Sequence, residues 1–252
     1  MPKPILVANW KNYPNSLSEA KALLQDLSKK RLLYKKFSLF LAPPYPYLGA
    51  ASEKAHGFSQ LASQDIPALP KGAHTGEVTT EMLKSFGVLL SIIGHSERRA
   101  MGESAEDVRE KMITAMRAGI SPLICIGEKE RDTEGEHFEL LRKELKALFG
   151  DLTKSEVKKI AIAYEPVWAI GKSAKDAIDP VELTQTILFI KKALSDLFGR
   201  KLADEVPILY GGSVESANAG ELMRTGIRGF LVGHASLKGK SFSEIALAIL
   251  NK

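Results

Sequence analysis

The strongest constraint on the fold of this chain is a repeated alternation of short apolar runs with longer segments of helical periodicity. Strand-like runs fall near Ile5–Trp10, Ser38–Ala42, Phe58–Ser63, Leu89–Ile93, Pro122–Ile126, Ile160–Tyr164, Ile208–Tyr210 and Gly229–Val232. Helical patterns fill the gaps near Leu17–Lys29, Tyr45–Lys54, Thr79–Phe86, Ala105–Ala118, Gly135–Phe149, Pro180–Phe198, Ser216–Arg224 and Ser241–Leu250. Within Ile160–Ala163 large and small apolar groups alternate, the pattern of a strand covered on both faces. Local chemistry marks several helix ends. Ser104 caps with Asp107 at the third helical position, and Gly119 stops that helix. Asp179 precedes a first-turn proline, Pro180, and Gly199 closes the segment. Eight such cycles in 252 residues match a closed parallel (β/α)₈ barrel in number and size. The alternative, an open doubly wound sheet, would carry a glycine-rich dinucleotide turn after its first strand. Asn9-Trp10-Lys11-Asn12 stands there instead. No linker-like tract, low-complexity run or short repeat divides the chain, so residues 1–252 are expected to form one α/β barrel domain.

Composition narrows the setting. With 44% hydrophobic and 26% charged residues, the chain has the makeup of an ordinary globular protein with a sizeable core. Its apolar runs are far too short to span a bilayer, and its first ten residues lack a secretory pattern. Cys125 is the single cysteine, which excludes an internal disulfide and a cysteine metal cluster. These features point to a cytoplasmic protein without a membrane partner. The net charge of +5 suits a small anionic substrate. The doublets Lys29-Lys30, Lys35-Lys36 and Lys191-Lys192 lie at helix ends or in loops and lack interleaved aromatics, so they read as solvated surface, not as a nucleic-acid groove.

In a barrel of this kind the active site lies at the carboxyl ends of the strands. Strand 1 exits into Asn9 and Lys11, and strand 4 into His95, Ser96 and Glu97. Strand 6 exits into Glu165, strand 7 into Gly211-Gly212-Ser213, and strand 8 into Gly233-His234. Glu165 is walled by Tyr164, Pro166, Val167 and Trp168, and Pro166 holds it extended. A carboxylate so placed is poorly solvated and takes up a proton more readily, as a general base must. His95 opens a short polar segment, where helix-start amides disfavour its cationic form; a neutral imidazole donates to a developing oxyanion. Lys11 adds a fixed charge, Asn9 orients a polar group, and Glu97 is placed to pair with Lys11. The glycine sites and Ser213 let backbone amides approach an anion. Singly, each residue has a structural explanation; together they form a phosphate cradle facing a base, an imidazole and a lysine.

These residues closely resemble the triosephosphate isomerase family over essentially the whole chain. The resemblance rests on Asn9-Trp10-Lys11, Thr75-Gly76-Glu77, Gly94 to Arg99, Cys125 to Glu128, Ala163 to Gly171, Tyr210 to Val214 and Leu231-Val232-Gly233. It implies a TIM barrel that interconverts glyceraldehyde 3-phosphate and dihydroxyacetone phosphate through an enediolate, without metal or organic cofactor. The pairing of a glutamate base with a neutral histidine is the established pattern of that family and enters from the resemblance. By the same resemblance Lys11 and Asn9 act on the substrate. Gly171, Ser213, Gly233 and the amide of His234 match its phosphate contacts, and residues 166 to about 176 form a closing lid. The long run Ser63–Val78 is implied to reach into a second copy of the chain, placing Thr75 near that copy's active site in a homodimer.

Three positions depart from the family pattern. Lys172-Ser173-Ala174-Lys175-Asp176 replaces a Thr-Gly-Lys type run. His234 replaces a second glycine and would be strained if its φ were positive. Asp65 stands where asparagine is common. None removes a catalytic group. A Schiff-base aldolase would need a desolvated lysine inside a strand, which Lys11 is not. A barrel kept only as a scaffold or binding protein has no physical need for Lys11, His95 and Glu165 together.

Overall fold

The computed structural model describes residues 2–68, 72–132, 134–171 and 177–251. Strands β1 (Ile5–Asn9), β2 (Ser38–Ala42), β3 (Gln60–Ser63), β4 (Val88–Ile93), β5 (Ser121–Ile126), β6 (Ala161–Tyr164), β7 (Ile208–Tyr210) and β8 (Gly229–Val232) pair in chain order. Every pairing is parallel, and β8 returns to β1 with Gly229 opposite Ile5, closing the barrel. Closure leaves no open sheet edge.

Strand β6 shows how the alternation builds two layers. Ala161 and Ala163 pack inside the barrel with Val7, Leu123 and Leu209. Ile162 and Tyr164 face outward into the layer between strands and helices. Small inward groups suit the narrow barrel axis, and large outward groups fill the space beneath the helices. Full burial of such aliphatic side chains is worth about 1.5–3 kcal/mol each.

Twelve α-helices are described: α1 (Leu17–Ser28), α2 (Arg31–Tyr34), α3 (Leu48–Lys54), α4 (Thr80–Ser85), α5 (Ser96–Ala100), α6 (Ala105–Ala118), α7 (Glu136–Phe149), α8 (Lys154–Val157), α9 (Pro180–Phe198), α10 (Arg200–Glu205), α11 (Ser216–Leu222) and α12 (Gly239–Leu250). Ser104 and Asp107 form a reciprocal capping box on α6, and Gly119 ends it at φ 74°. The Asp179 side chain accepts the Val181 amide at 2.8 Å, with Pro180 in the first turn of α9. Several expected boundaries shift, most by a single residue, and α12 starts at Gly239, two residues before the expected Ser241. The segment expected to be helical from Tyr45 starts as a 3₁₀ turn, Tyr45–Tyr47, before α3. Strand β3 starts at Gln60, because the Phe58 and Ser59 amides still bond back to Ala55. Helix α11 ends at Leu222, two residues before Arg224. The short helices α2, α5, α8 and α10 are additions the periodicity does not register.

Candidate active site

The strand exits converge on a cavity of about 890 Å³. Asn9, Lys11, His95, Glu97 and Glu165 line one part of it. Gly171, Ser213, Gly233 and His234 line another. Thr75 is not part of that lining and is exposed on the loop after β3. Ser96 reaches the site through its backbone alone.

Strand β1 delivers Asn9, whose Oδ1 accepts the Lys11 amide at 3.0 Å. Lys11 has φ 52°, the one positive value at a non-glycine among the described residues. A lysine in this region is strained, and such strain persists where surroundings over-determine it. Gln64 supplies part of that restraint. Its Nε2 donates to Lys11 O at 2.7 Å and Ala42 O at 2.9 Å, tying the turn to the exit of β2. The Lys11 side chain then reaches Glu97, with Nζ 2.5 Å from Oε1. A Cβ on Gly233 would stand 3.2 Å from Lys11 Cε, so the absent side chain leaves the ammonium arm its path.

Strand β4 delivers His95 as the N-cap of α5. Its Nδ1 accepts the Glu97 amide at 3.2 Å. That bond leaves the proton of the neutral ring on Nε2, which points to the carboxylate of Glu165, 3.3 Å from Oε1. The separation is within reach, but the groups are not aligned as a hydrogen bond, and Oε1 has no bonded donor. The other oxygen, Oε2, accepts the Ser96 amide at 3.1 Å.

Glu165 is only 1% exposed. Its backbone amide bonds Ile126 O at 2.8 Å as β6 ends. Two glycines make its position possible. A Cβ on Gly127 would stand 1.9 Å from Glu165 O, and one on Gly211 would stand 2.8 Å from Glu165 Cγ. The buried Cys125 lies beneath this carboxylate. Burial, and secondarily Glu165, push its thiol well above the usual range, so it stays protonated.

The turn after Glu165 is held from the side. Buried Glu128 accepts the Tyr164 hydroxyl at 2.8 Å and the Trp168 indole N–H at 3.0 Å. The Glu128 carbonyl accepts the Val167 amide at 3.0 Å. Ser213 Oγ donates to Ala169 O at 2.8 Å, joining this turn to the exit of β7. Residues Lys172–Asp176, with the Ser173 departure, lie outside the described residues. His234 opens a 3₁₀ turn and does not have a positive φ, so the strain considered for it is absent.

Sequence reasoning named Asn9, Lys11, His95, Glu97, Glu165, Gly171, Ser213, Gly233 and His234, but not the further lining groups Tyr13, Asn15, Lys238 and Glu244. It gave no role to Gln64, and Glu128 entered only as part of a motif. Both are polar residues within a few positions of a strand end, which was the available signal. Asp65 meets Arg98 at 3.0 Å and Lys111 at 2.8 Å, an ion-pair cluster under α5 that an asparagine would not form.

A carboxylate, an imidazole N–H and an ammonium around one cavity suit proton transfer next to a carbonyl, with charge developing on oxygen. A family model described as triosephosphate isomerase matches residues 4–249. The triosephosphate isomerase of Fusobacterium nucleatum is 38% identical, over 98% of this chain and 99% of that protein. That of Citrifermentans bemidjiense is 39% identical, over 97% and 98%, and that of Geotalea uraniireducens 40%, over 97% and 98%. With the barrel, the site and a match over nearly its full length, the chain belongs to the triosephosphate isomerase family.

Proposed function

We propose that residues 1–252 act as one catalytic domain interconverting D-glyceraldehyde 3-phosphate and dihydroxyacetone phosphate through an enediolate. The observation that carries this reading is Glu165 Oε1, without a bonded donor, 3.3 Å from His95 Nε2 at the cavity that Lys11 also lines. In the reaction, the Glu165 carboxylate takes the proton from the carbon beside the carbonyl. The C–H electron pair becomes the C=C bond, and the carbonyl pair moves onto oxygen. His95 Nε2–H and the Lys11 ammonium stabilise that oxygen, and Asn9 keeps Lys11 in place. A proton then passes from the adjacent hydroxyl oxygen to the former carbonyl oxygen, and return of the carbon-bound proton from Glu165 to the neighbouring carbon completes the exchange. No redox partner or metal is needed for these steps.

The phosphate is assigned to backbone donors around Gly171, Ser213, Gly233 and the His234 amide. A homodimer joined through the Ser63–Val78 loop belongs to the same reading. Exposed Tyr13, Met82 and Met101, on segments that follow β1, β3 and β4, favour it as apolar groups available for a subunit contact. The cytoplasm is the assigned location. A coupled assay with glyceraldehyde 3-phosphate on purified protein tests the activity, and an inactive, folded protein would refute it. Light scattering at micromolar concentration tests the assembly, which an active monomer would refute.

A further inference from the structure

The segment Lys29-Lys30-Arg31-Leu32-Leu33-Tyr34-Lys35-Lys36 carries five cations and no acid. The whole chain has 35 Lys and Arg against 30 Asp and Glu. Outside these eight residues the charges therefore balance at thirty each, and the net +5 resides in this one stretch.

The stretch is built, not loose. It folds as α2 with its flanking turns, and Tyr34 is fully buried, its ring 5.6 Å from Phe242 and 6.3 Å from Phe58. Leu33 packs partly against the core beside this anchor, while Leu32 and the cations face outward. All five cations are exposed, and Leu32 is 74% exposed among them. Lys29 bonds Asp26 at 3.3 Å; the other four make no ion pair among the described residues. Lys3 joins the cluster through a 2.8 Å bond to Lys35 O.

The patch lies at the wrong end of the barrel to serve the substrate. It leads into the start of β2, where the Ser38 amide bonds Pro4 O, whereas the cavity lies at the strand exits. A five-residue strand spans ~17 Å, about twice the screening length of ~8 Å at physiological salt. Steering of a triose phosphate therefore does not account for it.

We infer that this face docks peripherally on an anionic phospholipid surface. The clustered cations meet the headgroups, and Leu32 enters the boundary beneath them while Tyr34 keeps the turn rigid. Charge complementarity alone would also admit nucleic acid, but the exposed groups do not favour it. The rings that would stack on bases, Tyr34 and Phe37, are buried. A phosphate backbone would also leave Leu32 in water. This reading departs from two sequence expectations, a solvated surface at Lys29-Lys30 and Lys35-Lys36 and the lack of a membrane partner, and it is independent of the proposed isomerase activity.

Sedimentation of the intact protein with vesicles tests it. Binding is expected to vesicles of phosphatidylcholine mixed with phosphatidylserine, not to phosphatidylcholine alone, and to fade in ~1 M salt, where screening shortens to ~3 Å. Neutralising two cations, Lys35→Gln with Lys36→Gln, should weaken partitioning ~30-fold, at about 1 kcal/mol per cation and 1.4 kcal/mol per tenfold. Leu32→Ser should weaken it by ~3-fold or more. Both variants should keep wild-type circular dichroism. Equal sedimentation of wild-type protein with both vesicle types, or none with either, overturns the proposal without any variant. So does a Leu32→Ser protein that partitions normally, or binding confined to a short DNA duplex.

Discussion

The Ser96 amide donates to Oε2 of Glu165 across 3.1 Å, so the first turn of α5 grips the carboxylate that β6 delivers. One oxygen is thereby fixed by the backbone of another strand's exit. The second has no bonded donor and faces His95. A carboxylate held at one atom and open at the other is oriented as the proposed base requires, toward a proton placed between it and the imidazole.

Shortening that side chain should separate binding from turnover. Glu165→Asp withdraws the carboxylate by about 1 Å, and misplacements of that size cost ~100-fold in rate. Steady-state kinetics should show turnover reduced by roughly that factor with phosphate-analogue affinity retained. Near-normal turnover would remove Glu165 from its role as proton carrier.

A second route to the same displacement leaves Glu165 itself unchanged. In Gly211→Ala the new Cβ would lie 2.8 Å from Glu165 Cγ and 3.3 Å from Oε1, forcing the carboxylate aside. The turnover number should fall by ~10-fold or more while the far-ultraviolet circular dichroism stays that of the wild type. Unaltered turnover would mean that the glycine is not what sets the carboxylate's position.

His234→Gly should leave the affinity for phosphate analogues nearly unchanged around neutral pH. The imidazole is exposed and His234 has no positive φ, so glycine neither removes a buried contact nor relieves strain there. Titration calorimetry with inorganic phosphate or a phosphate-bearing inhibitor would measure it. A large loss of affinity would assign the side chain, not the backbone amide, to the phosphate.

Acid should erase one specific contribution to stability. Asp132 accepts the Glu134, Glu136 and His137 amides at 2.8–2.9 Å, and its Oδ2 lies 2.8 Å from His137 Nδ1. Partial desolvation works against ionisation, but these bonds outweigh it and hold the carboxyl well below its usual range. A depressed value stabilises the folded protein above the unfolded carboxylate's pKa of about 3.9. That contribution is lost as pH falls from there through the folded value. Thermal melts should show Asp132→Asn less stable than wild type at neutral pH, with the gap narrowing below about pH 4. A gap that did not change with pH would show that the carboxylate's charge contributes nothing.

The barrel and its strand order were legible in the amino-acid sequence because the signals are local. Apolar periodicity, Ser104 and Asp179 as caps, and Gly119 as a stop all act within a few residues of themselves. The candidate site was legible for a related reason: in a parallel barrel, every strand exit lies at the same rim, so Lys11, His95 and Glu165 converge once the strands are counted. The helices α2, α5, α8 and α10 were not legible, since four to six residues are too few for a helical period to register.

What the tertiary structure alone decided are the partnerships across the barrel. Gln64 bonds a carbonyl 53 residues away at Lys11, and Glu128 an indole 40 residues away at Trp168. It also turned Tyr34 inward and Leu32 outward within one short helix. A residue's own chemistry sets what it can bond, but closure of the ring sets which distant group arrives within about 3 Å of it.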